Sequence, residues 1–119
     1  MRAVRGGFVQ VLVAVPSERL AARLSRALLE KRLCACAQTL GPVISRYRWR
    51  GELVRGREWL LLLKTRSGIL TSVEKEIRRL HPYEVPEILA FPVQSGGARY
   101  LDWLRRECLN GRAPSRRSR

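Results

Sequence analysis

Residues 8–15, FVQVLVAV, are dense in apolar and β-branched side chains, which predicts a buried strand. Pro16 ends it, and Ser17 is a favourable helix N-cap. Leu20, Leu24, Ala27 and Leu28 follow at i, i+4, i+7 and i+8, the stripe of an amphipathic helix reaching about Arg32. A second strand is expected at 33–40, with Gly41-Pro42 as a bend or bulge. Extended structure then resumes at 43–49, where large aromatics alternate with arginines. A turn at Arg50-Gly51 leads into 52–54 and 57–65, so the two extended stretches form one long hairpin. Thr65 or Ser67 is expected to cap the next helix, whose face is Leu70, Val73, Ile77 and Leu80. His81-Pro82 stops it, because a residue before proline disfavours the helical region. A further strand is expected at 86–93, with Pro92 confining it to an edge or a strand end. After Gly96-Gly97, a last helix over 98–108 carries Leu101, Leu104 and Cys108 on one face.

The resulting order is β-α-β-β-α-β, then α. Two strand–helix–strand units joined by a hairpin give an α+β, ferredoxin-like βαββαβ fold with an antiparallel sheet and a C-terminal helix. Both crossover helices would cover one sheet face and leave the other bare. A bare face beside a long aromatic hairpin invites partner subunits. The expected division is an N-terminal extension at 1–7, one domain at 8–110 and a basic tail at 111–119.

Composition adds three constraints. The net charge is +14, almost all of the cationic side chains being arginines, and the tail contributes Arg112, Arg116, Arg117 and Arg119 with no acid. Such a tail is expected to be disordered and is where nucleic acid could be touched, through phosphate attraction. Nothing approaches the ~18–20 apolar residues of a membrane span, so no membrane role is expected. Arg2 and Arg5 ahead of the first strand loosely imitate a secretion signal, but Gln10 interrupts the run and it ends in Pro-Ser-Glu-Arg. The three cysteines, Cys34, Cys36 and Cys108, form no obvious disulfide framework. Side chains at i and i+2 of a strand sit ~6.5–7 Å apart, too far for a normal bridge. Reduced thiols and a cytoplasmic protein are the expectation.

Four stretches in this order, "SRYRWRGEL" (45–53), "LLLKT" (61–65), "HPYEVPEI" (81–88) and "YLDWL" (100–104), resemble the CutA family of divalent-cation tolerance proteins. "EKRLCACAQ" at the first helix-to-strand junction belongs to the same likeness, which spans 8–107. The resemblance implies a tight homotrimer of ferredoxin-like subunits, similar in shape to the PII signalling proteins, and a link to tolerance of copper and other divalent metals. Some members linked to copper carry a cysteine in the first strand, where this chain has Val13 and Ala14. Some carry paired histidines before the proline, where this chain has Leu80 and His81.

Several residues carry candidate chemistry. Cys34 and Cys36 would share one face of a strand and, with a third donor, suit a soft ion such as Cu(I); they equally suit a packed core. Cys36 falls at the family's cysteine position. His81, the only histidine, is a candidate metal ligand with Glu84, Glu87 or Glu58 beside it, or else a helix-terminal imidazole that satisfies carbonyls. Tyr47, Trp49, Lys64, Tyr83, Tyr100 and Trp103, with Glu87, are expected at an intersubunit cleft or interface. No nucleophile motif such as GxSxG and no glycine-rich phosphate loop is present, so neither catalysis nor a required cofactor is expected; copper or another divalent metal is the candidate ligand.

Overall fold

The computed structural model describes residues 7–109. Its elements are β1 (Phe8–Val15), α1 (Glu18–Glu30), β2 (Cys36–Trp49), β3 (Glu52–Arg66), a short 3-10 turn (Ser67–Ile69), α2 (Leu70–Leu80), β4 (Ile88–Pro92) and α3 (Ala98–Glu107). They form one antiparallel sheet in the order β2-β3-β1-β4. That is the ferredoxin-like arrangement the element order predicts. The expected domain begins and ends close to the described residues, while most of the N-terminal extension and the whole tail at 111–119 lie outside them.

Strand alternation fixes the two faces. Val9, Val11, Val13 and Val15 are buried, and their partners on β3 are Thr65, Leu63, Leu61 and Trp59. Against this face lie Ala21, Leu24 and Leu28 of α1 and Leu70, Val73 and Ile77 of α2. The buried stripe of α1 is thus centred on Ala21 rather than on Leu20 and Ala27, which stay half-buried. On the opposite face Leu89, Phe91 and Leu40 remain exposed. Only one end of that face is covered, where α3 brings Arg105 over the Phe8 ring at 5.0 Å.

Helix ends follow local rules. The Ser17 Oγ accepts the Leu20 N–H at 3.1 Å. At the other end of α1, Arg32 adopts φ 57, the Arg32 N–H donates to the Leu29 carbonyl and the Leu33 N–H to the Leu28 carbonyl. This is a Schellman close with arginine where glycine is usual, and buried Leu33 beside buried Leu28 supplies its apolar contact. The expected strand at 33–35 is therefore this turn, and β2 starts at Cys36. Neither Thr65 nor Ser67 caps α2. The Thr65 Oγ1 donates to the Leu33 carbonyl at 2.7 Å, and Ser67 opens the 3-10 turn.

Two departures from the expected strands shape the site. β2 and β3 slip register between Leu40 and Val43, so Gly41 and Pro42 together oppose Trp59. Beyond this bulge, Val43, Ser45, Tyr47 and Trp49 face the side that Leu40 faces, and Ile44, Arg46 and Arg48 face the helix side. The second departure is β4, which begins at Ile88 rather than Pro86. The β1 ladder would next need Ala14 opposite Glu87, but the Ala14 carbonyl instead accepts from the His81 ring at 2.8 Å. The segment 82–87 is left as a connector.

Candidate functional site

Beyond the bulge the hairpin becomes an arm, residues 43–58, closed by Arg50 (φ 50) and Gly51 (φ 81) in a two-residue turn. Arginine in this left-handed conformation is unusual. It is held by an ion pair to Glu84 at 3.2 Å and lies 5.4 Å from the Trp49 ring centre. Through Arg50–Glu84 the arm tip meets the 82–87 connector. Between them lies a cleft of about 560 Å³, lined among others by Tyr47, Trp49, Glu58, Tyr83, Glu84 and Glu87.

His81 organises the connector from below. The Tyr83 N–H donates to His81 Nδ1 at 3.2 Å, which makes Nδ1 the acceptor. Nε2 therefore carries the hydrogen and donates to the Ala14 carbonyl. The ring is buried and packs on Tyr83 with centroids 4.8 Å apart. With both nitrogens committed, His81 positions Tyr83 and holds the end of α2 against β1. It presents no free lone pair to the cleft.

Tyr83 carries the order onward. Its hydroxyl donates to Glu58 Oε2 at 3.0 Å, and Glu58 is buried. Burial first, then the hydrogen bond and charge of Glu58, push the Tyr83 hydroxyl up to about 12, so it stays a donor across the physiological range. Glu84 and Glu87 stand nearby and exposed. The cleft thus combines three carboxylates with three aromatic rings.

The thiols lie elsewhere. Cys34 is buried in the core, not on a strand face shared with Cys36, and burial raises its thiol to about 12. It stays protonated, a poor state for ligating metal. Cys36 is half-buried and pairs with Lys64, whereas Ala14, which receives the His81 bond, pairs with Leu60. The run from Leu60 to Lys64 spans ~13 Å of strand, so Cys36 and His81 of one chain cannot hold one ion. Among the described residues no group of three or more His, Cys, Asp or Glu is gathered closely enough to hold a metal. The expected set Cys34, Cys36, His81 and Glu84 is therefore not a single site within one chain.

The expected aromatic group also divides. Tyr47, Trp49 and Tyr83 line the cleft. Tyr100 and Trp103, with ring centroids 5.5 Å apart, belong to α3 at the far end, where Tyr100 stands near Cys36 and Lys64 donates to Gln38. The residue that sequence reasoning underweighted is Glu58. Its signal was available: it shares strand parity with Leu60 and Leu62, so a charge interrupts an apolar face.

The family model described as "CutA1 divalent ion tolerance protein" matches residues 9–107. The chain belongs to this family. The Thermus thermophilus divalent-cation tolerance protein CutA is 46% identical over 95 residues, which cover 80% of this chain and 92% of the relative. The human protein CutA is 37% identical over 102 residues, 86% of this chain but 57% of the human protein's length. Among solved structures, CutA1 from Oryza sativa superposes with TM-score 0.85 at 31% identity, covering 87% of this chain and 95% of the rice chain. The Thermus thermophilus structure gives 0.83 at 44% identity, covering 85% and 98%. The family's fold is thus this chain's fold, and divalent-cation tolerance is the family's attribute.

Proposed function

We propose that the protein is a non-catalytic homotrimer of the reducing cytoplasm that contributes to divalent-metal tolerance by holding a metal ion, copper among the candidates, weakly in the cleft beneath the arm. The observation that supports this is that Glu58, Glu84 and Glu87 line one cavity, although within one chain they are not gathered into a metal-holding group. Carboxylates are suited to divalent ions, while the soft-ion reading needs thiolates that Cys34 cannot supply. Since one chain gathers no complete ligand set, the site is completed across a subunit boundary, where Cys36 of a second copy is the remaining accessible thiol. The non-catalytic part is supported by His81, whose ring nitrogens are both occupied.

Native mass spectrometry during copper titration tests the reading, because assembly and metal count are read together. A trimer taking up metal is expected, with Glu58→Gln and Glu84→Gln each lowering affinity by about tenfold or more, since even the outer-shell partners of metal ligands are worth about 10–100-fold. Cys34→Ala should leave stoichiometry unchanged. A monomer at micromolar concentration, or uptake indifferent to both glutamates, would refute it.

A second reading is a structural or signalling trimer, PII-like in shape, whose cleft takes a small molecule or a protein segment. The aromatic walls Tyr47, Trp49 and Tyr83 beside carboxylates favour an organic cation there. Quenching of Trp49 fluorescence by such a ligand, with no metal uptake, would select it.

A further inference from the structure

The two faces of the arm differ in character. One carries Tyr47, Trp49 and Glu58 toward the cleft. The other is formed by Ile44, Arg46 and Arg48 on β2 and their partners Arg57, Arg55 and Leu53 on β3. All six are exposed, and Arg46 also borders the cleft. Arg46 stands directly opposite Arg55, and Arg48 and Arg57 are the diagonal neighbours of that pair, so four guanidinium groups form one band across the ribbon. Like charges placed directly opposite on a sheet are destabilising. No carboxylate occurs on this face, and none of the four arginines makes an ion pair among the described residues. The helices differ, since Arg78, Arg79 and Arg105 each meet a carboxylate.

We infer that the arginine face of the arm docks on the phosphate backbone of duplex nucleic acid. A two-stranded ribbon has the dimensions to enter a major groove. Arginines two apart on a strand are ~6.7 Å apart, about two steps of the 3.4 Å axial rise between phosphates of one strand. Guanidinium forks match phosphate oxygens two at a time. Single-stranded partners are held by stacking on aromatic rings, and here the rings point to the opposite face, so the band offers cations alone. The chain's net charge of +14 adds long-range attraction. The four arginines are not those of the basic tail, and the inference does not depend on the metal reading.

Fluorescence anisotropy of a labelled random-sequence DNA duplex, titrated with the full chain from about 50 to 200 mM salt, tests it. Binding that weakens with salt is expected. Arg46→Gln with Arg55→Gln should reduce the slope of log affinity against log salt by ~2, one for each phosphate contact removed. The melting temperature of this variant should not fall, because a like-charge pair is relieved; if it does, Arg48→Gln with Arg57→Gln gives the same reading without that pair. Arg116→Gln with Arg117→Gln reports the tail separately. The inference is overturned by absence of duplex binding at low salt, by binding that only the tail variant weakens, or by capture on phosphatidylserine vesicles without capture of DNA.

Discussion

Glu76 sits on the buried stripe of α2, between Val73 and Ile77, where the apolar period calls for no charge. It is tolerated because the Arg79 guanidinium meets it at 2.8 Å and Lys31, from the end of α1, at 2.9 Å. The hydrogen bond from Arg79 is the main cause that lowers its carboxyl to about 2, burial opposes the shift, and Lys31 adds to it. A depressed carboxylate stabilises the fold above its ordinary value of 4.5, and that contribution is lost as the pH falls through about 2. Both cations are half-exposed, which moderates the effect. Glu76→Gln should therefore cost ~1 kcal/mol at neutral pH. Denaturation of both proteins between neutral pH and pH 2 should show the difference closing in that acid window. A constant difference would place the effect in packing rather than charge.

Among the elements, the bulge in β2 decides most about the site, because it reverses the facing of every β2 residue beyond it. Gly41 occupies it at φ 154, and a Cβ there would lie 2.5 Å from the Trp59 ring. Gly41→Ala should cost ~1–3 kcal/mol by overpacking. If the bulge relaxes instead, the flip should carry Trp49 out of the cleft and shift its fluorescence, while Gly56→Ala, which meets nothing nearby, should leave the emission unchanged. Retained stability and emission in Gly41→Ala would show that the bulge does not set the facing. The sequence marked this place, since Gly-Pro between two apolar runs breaks any ladder. It did not say which way parity resumes, which depends on opposing two residues to one. For the same reason the α2 stripe and the hairpin were legible, being local periodicities. The separation of Cys34 from Cys36, the double engagement of His81 and the split of the aromatic group were not. Each depends on a contact across the sheet, such as the Ala14 carbonyl taken by an imidazole 67 positions later.

At the scale of the whole molecule, the sheet has two edge strands, β2 and β4, and a face on which Leu40, Leu89 and Phe91 are each roughly half exposed. Unpaired edges and an apolar face are both liabilities for an isolated chain. Covering them with copies of the same chain removes both together. The proposed trimer therefore has a physical motive independent of any metal. Two substitutions probe different parts of it. Phe91→Asp places a charge on the face, beside Leu89 and Gln10 in the β1–β4 register, where association would have to desolvate it. It should convert the assembly to monomer in light scattering after size exclusion. Trp49→Ala removes an arm aromatic and should weaken assembly by ~2 kcal/mol, the scale of an interface hot spot. If Phe91→Asp dissociates the protein and Trp49→Ala does not, the face holds the subunits and the arm serves only the cleft. A wild-type protein that stays monomeric at all concentrations would remove the reason for both effects.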